Sequence, residues 1–171
     1  DAAVAGSPGY AFSASDAALM FLLSGGDKYC DLAVRMVEKE VAEAEAAIAT
    51  GARPAIAGDS YLEVGPRIAD LAMTLHACRT TIDATQQRRW SSYAEQAVWN
   101  VWNHPRAQGG GPAHAWTGWS VDNPGNNYYY SFIEATMYWA LVSGSPSWLE
   151  DLRTRRLPPL KTYYAGLPGG G

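Results

Sequence analysis

The run Asn126-Asn127-Tyr128-Tyr129-Tyr130 gathers side chains able to do chemistry into five successive positions. Asn is favoured at a helix N-cap, and a helix N-terminus also attracts carboxylates. Asn126 and Asn127 therefore read equally as a cap and as a site. Just before them, Trp116 and Trp119 lie outside every helical stripe, with His114 in the same stretch. A flat apolar ring with a polar tip suits stacking on a sugar, and it suits plugging a loop onto helices as well. Tyr129 belongs to the apolar face of the helix that follows. Tyr128 and Tyr130 are freer to face a cleft. His114 reads as a general base, as a holder of a substrate carboxylate, or as a plain surface residue.

These residues must be positioned by helices. Ser13 or Ser15 can cap a first helix with Ala18, Leu19, Leu22 and Leu23 on one face, ended by Ser24-Gly25-Gly26. Asp27 caps a second helix, whose apolar positions are Tyr29, Ala33, Met36, Val37, Val41, Ala44 and Ile48. Residues 51–62 read as a loop. Pro66 fits the first turn of a third helix carrying Ile68, Leu71, Ala72 and Leu75. Asp83 or Thr85 opens a fourth, with Trp90, Tyr93, Ala94, Ala97, Val98, Val101 and Trp102 in one stripe. Residues 103–127 form the longest irregular stretch, and such loops are often functional. A fifth helix follows with Tyr129, Phe132, Ile133, Thr136, Met137, Ala140 and Leu141 on one face. Ser145 caps a sixth, and Leu157-Pro158-Pro159 breaks the pattern. No segment alternates with period two, so no strand is expected.

The helices fall into three pairs, and one similarity suggests a repeat. Leu22-Leu23-Ser24-Gly25 followed by Tyr29 matches Leu141-Val142-Ser143-Gly144 followed by Trp148. Repeated αα-hairpins point to a solenoid or toroid. The expected fold is all-α, a single helical domain over residues 1–171.

Of the 171 residues, 47% are hydrophobic and 18% charged, with a net charge of −4. That suits one domain with a real core, and the lack of a basic stripe argues against a nucleic-acid partner. The longest apolar run, Ala17 to Leu23, is too short to span a bilayer. Cys30 and Cys78 each sit in an apolar helical pattern and read as two buried free thiols in preference to a disulfide. His76, His104 and His114 show no metal-ligand spacing, so no metal or cofactor is expected.

Two stretches carry a family resemblance. One is Ile-Ala-Asp-Leu-Ala-Met-Thr-Leu-His-Ala from Ile68, followed by Thr-Gln-Gln-Arg-Arg-Trp ending at Trp90. The other is Trp-Ser-Val-Asp-Asn-Pro-Gly-Asn-Asn-Tyr-Tyr-Tyr-Ser-Phe from Trp119, running on into Ala-Thr-Met-Tyr-Trp-Ala-Leu from Ala135. They resemble helical hairpins of heparinase II/III-like and alginate-lyase-like polysaccharide lyases, over roughly residues 14–171. The resemblance implies part of an (α/α) toroid, secreted or periplasmic, that cleaves uronic-acid polymers by β-elimination. It places Asn127 as the group that stabilises charge on the substrate carboxylate. Tyr128 stands where the family often has His, as a candidate base or acid. With His114 these are the candidate catalytic residues, and Trp116, Trp119, Asn126 and Tyr130 are the candidate substrate contacts. The family's catalytic Tyr follows a Gly-rich segment, and this chain ends in one at Gly171. The expectation is therefore an N-terminal portion of a longer protein, with the remainder and an acidic polysaccharide as partners.

Two other readings stay open. One is a non-catalytic glycan-binding or scaffolding module. The other is a glycoside hydrolase on the same scaffold, which needs two cleft carboxylates from among Glu63, Asp70 and Asp122.

Overall fold

The computed structural model describes residues 2–7, 9–108 and 116–168. Among these residues the fold is all-α and contains no strand. Helices α1 (Ala14–Ser24), α2 (Asp27–Ala49), α3 (Val64–Ala77), α4 (Ala84–Trp102) and α5 (Asn127–Ser143) come in order. Then α6 (Pro146–Asp151), a π-helical turn (Leu152–Arg156) and α7 (Leu157–Ala165) complete the last arm. Three hairpins result: α1 with α2, α3 with α4, and α5 with α6–α7. The helices α1, α3 and α5 pack side by side as one layer.

Caps set the starts. Ser13 and Asp16 form a capping box on α1, Asp83 and Gln86 form one on α4, and Ser145 accepts from the Trp148 N–H at α6. Gly26, not Asp27, occupies the N-cap of α2, and Asp27 is that helix's first residue. The core is the meeting of the predicted stripes, with Val37, Val41, Ile68, Leu71, Trp90, Val98, Val101 and Phe132 all buried.

Further sequence expectations are corrected, and on the predicted apolar faces Ile48 of α2 and Met137 and Leu141 of α5 are exposed. The α1 face that packs is Ala14, Ala17 and Ala18, which leaves Leu19, Leu22 and Leu23 exposed. Small side chains at i, i+3 and i+4 let α2 and α3 approach α1 closely, so the alanine stripe wins over the leucines. Cys30 and Cys78 are not free thiols but form a disulfide, with Cα atoms 5.4 Å apart. Leu157-Pro158-Pro159 does not end the helical pattern. Both prolines fall in the first turn of α7, directly after the π-helical turn, where the fixed φ of proline is compatible with helical backbone.

Hairpin alternation sorts the connections. The short ones, Gly25-Gly26 and Gly144-Ser145 among them, lie at one end. The long ones, residues 50–63 and 103–126, lie at the other, with the N-termini of α3 and α5. That end is tied together by Ser131, whose hydroxyl accepts from the Gly65 N–H at 2.8 Å and donates to the Leu62 carbonyl at 2.6 Å. A Cβ on Gly65 would lie 2.8 Å from the Ser131 carbonyl oxygen, so only glycine lets α3 and α5 meet there.

Candidate functional site

Asn126 caps α5. Its side-chain oxygen accepts from the Tyr128 N–H at 3.0 Å. Asn127 is the first residue of the helix and is exposed. Its amide therefore stands beside backbone N–H groups at the positive end of a helix of 17 residues.

The next turn presents phenols. The Tyr128 hydroxyl donates to Asp59 Oδ1 at 2.9 Å, across 69 residues of chain. That hydrogen bond to a carboxylate holds the phenol above its ordinary value and keeps it protonated at neutral pH. Among the described residues, Asp59 is the one charged group that shifts it. The Tyr130 hydroxyl donates to the Tyr164 hydroxyl at 2.8 Å, which pushes the Tyr130 phenol up to about 12. The Tyr163 and Tyr164 rings meet edge-on, 5.7 Å between centroids. Tyr163 covers the Asn123-Pro124-Gly125 turn so closely that a Cβ on Gly125 would lie 2.8 Å from its ring. The buried Tyr129 instead donates to the Arg156 carbonyl at 2.7 Å, which fastens α5 to the π-helical turn.

Asp59 reaches Tyr128 through unusual backbone. Asp59, Ser60 and Tyr61 have φ of 40°, 54° and 64°, three left-handed residues in a row and none of them glycine. Each costs about 1–3 kcal/mol, and such positions cluster where a side chain must be aimed. Tyr61 locks the turn from below. It is buried, its ring lies 5.1 Å from that of Trp116, and its hydroxyl accepts from Asn100 Nδ2 at 3.2 Å.

The predicted residues thus divide. Asn126, Asn127, Tyr128 and Tyr130 come together at the start of α5. Trp116 faces inward between Tyr61 and Phe132, with its indole N–H directed at the Val101 carbonyl. Trp119 is 57% exposed and makes no ring contact among the described residues. His114 lies outside the described residues. Of the carboxylates considered for hydrolysis, Asp70 accepts from the Ser15 N–H of α1 at 2.8 Å. Sequence reasoning missed Asp59, Tyr163 and Tyr164. The paired Tyr163-Tyr164 was visible as a signal, but without α7 nothing carried it back to α5.

No protein-family model, no curated protein and no solved structure matches this chain.

Proposed function

We propose that the start of α5 belongs to a carbohydrate-active site that acts on uronic-acid polymers by β-elimination. The observation that carries this reading is the pairing of exposed Asn127, at a helix N-terminus, with the phenol of Tyr128 under a rim of tyrosines. Asn127 and the nearby N–H groups would stabilise the charge that develops on the substrate carboxylate when the C5 proton leaves. Tyr128, kept protonated beside Asp59, suits donation to the departing glycosidic oxygen better than abstraction at C5. The base is then a different group, for which His114 is the candidate within this chain. The Cys30–Cys78 disulfide supports an oxidising compartment, in keeping with secretion or a periplasmic location.

The test is incubation with alginate, hyaluronan, heparin and polyglucuronate while following the ultraviolet absorbance of the unsaturated product. Asn127→Ala should lower turnover about a hundredfold or more with substrate affinity little changed. No unsaturated product from any of these polymers rejects the reading. One observation favours a second reading. Tyr128 and Tyr130 both have their hydroxyl protons committed to protein acceptors, which suits a surface that binds glycans without turning them over. Glycan binding without product would identify it.

A further inference from the structure

A cleft of about 490 Å³ opens between the C-terminal half of α2 and the outer face of α4. Of the residues around the α5 site only Tyr61, which supports the Asp59 turn, also lines it; Asn126, Asn127, Tyr128 and Tyr130 do not. Its volume lies in the range of small-molecule sites. One wall is apolar: Ile48, Pro54, Ile56, Ala97 and the ring of Tyr93. The other is a polar stripe along α4, in which Arg88, Ser92, Gln96 and Asn100 recur at four-residue spacing and so share one face.

The stripe is unevenly satisfied. Asn100 at the inner end is saturated. Its Nδ2 donates to the Tyr61 hydroxyl and the Gln108 carbonyl, and its Oδ1 accepts from Gln96 Nε2 and the Gln108 N–H. The Ser92 hydroxyl makes no hydrogen bond among the described residues. The two neighbouring arginines differ most. Arg89 is held by two carboxylates, Glu38 at 2.8 Å and Glu45 at 2.5 Å. Arg88 has no ion pair among the described residues, and its one hydrogen bond there is from Nη2 to the Thr85 hydroxyl at 3.2 Å.

We propose that this cleft binds a small aryl carboxylate, with its ring against the Ile48, Ile56 and Tyr93 wall and its carboxylate on Arg88. An apolar wall rewards a ring that displaces water. A guanidinium at the rim with no direct ion pair among the described residues favours an anionic group, and its planar fork matches a carboxylate. Asp83 acts on it only at longer range, and the lining carboxylate of Glu45 is held by Arg89. A sugar acid would meet the same Arg88, but its hydroxyls would lose water against the aliphatic side chains of the wall without gaining partners there.

The experiment is titration calorimetry of the whole chain with cinnamate, methyl cinnamate and galacturonate. Cinnamate is expected to bind at one site, and the uncharged ester about tenfold more weakly, as the loss of one charge-assisted contact implies. Arg88→Gln should weaken cinnamate by a similar factor and leave the ester unchanged. Ser92→Trp, made at an exposed helical position, should fill the cleft and abolish binding of both, with the helical circular dichroism retained. If Ser92→Trp does not fold, the Arg88→Gln comparison of acid and ester decides alone. Three results overturn the proposal: no cinnamate binding at millimolar concentration, equal binding of acid and ester, or tighter binding of galacturonate than of cinnamate. None of these bears on elimination at α5, so the two proposals fail separately.

Discussion

The two ends of the helical stack differ in which residues they place in left-handed backbone. At the short-turn end, left-handed residues are glycines: Gly25 at φ 70° closes α1, with its N–H on the Phe21 carbonyl, and Gly144 at φ 64° closes α5. The chain there is also stapled, since Cys30 in the first turn of α2 is bonded to Cys78 just past α3. At the long-loop end, glycine takes only some of the left-handed positions, Gly51 at φ 74° and Gly118 at φ 77°, while Asp59, Ser60, Tyr61 and Ser120 take others, residues for which that conformation is unfavourable. Glycine would be easier in every case but would supply no carboxylate for Tyr128 and no ring for Trp116. One end is built for stability, and the other holds strained backbone in order to aim side chains.

The largest effect should come from cutting the staple. The disulfide closes a loop with a sequence separation of 48, for which chain entropy gives about 4 kcal/mol. Reduction, or Cys30→Ser with Cys78→Ser, should lower stability by about 3–4 kcal/mol in denaturant titrations. The tyrosine cluster should survive in the molecules still folded, since it lies at the other end. A loss under about 1 kcal/mol would mean that the short-turn end does not depend on its covalent bond.

A smaller effect of opposite sign at the two ends tests the comparison more sharply. Gly25→Ala puts a Cβ on a left-handed residue and should cost about 1 kcal/mol. Ser60→Gly removes a Cβ from one, and relief of about 1–3 kcal/mol of strain outweighs the roughly 0.5–1 kcal/mol that glycine loses in chain entropy. Ser60→Gly should therefore raise the thermal midpoint while Gly25→Ala lowers it. If both lower it, the turn at residues 59–61 is not a store of strain.

Much of this asymmetry was hidden in the sequence for physical reasons. Helix starts were legible because caps are local: Asp83, Asn126 and Ser145 each act on N–H groups two or three residues ahead. The stripe of α4 and most of those of α2 and α5 were legible because burial follows their period, but Ile48 on α2 and Met137 and Leu141 on α5 are exposed. The α1 face was misread because leucine outranks alanine in hydrophobicity, whereas close helix packing selects the smaller side chain. The disulfide joins two helices whose approach is a tertiary fact, and residue type does not encode it. The same holds for the candidate site. Asn127 and Tyr128 were read from adjacency, but Asp59 lies 69 residues from Tyr128, and nothing in the local sequence announces three successive left-handed residues from Asp59 to Tyr61. Tyr163 and Tyr164 were lost with α7, since two prolines after a π-helical turn look like a stop.

The smallest expected effect reads the long-loop end directly. Tyr130 donates to Tyr164, and that bond pushes the Tyr130 phenol up to about 12, from an ordinary value near 10. Because the folded chain holds this proton more tightly than the unfolded chain, the pairing contributes fully below pH 10. Above that the unfolded chain ionises first, and the contribution falls away as pH rises through about 12. The phenolate difference spectrum between the native protein and Tyr130→Phe should therefore show one step near pH 12. Tyr164→Phe removes the acceptor and should bring that step back toward the ordinary range. Burial raises Tyr61 and Tyr93 by a different cause, so their steps should stay in place in both variants. If Tyr164→Phe leaves the Tyr130 step unmoved, α7 does not reach the start of α5, and the tyrosine rim of the candidate site is lost with it.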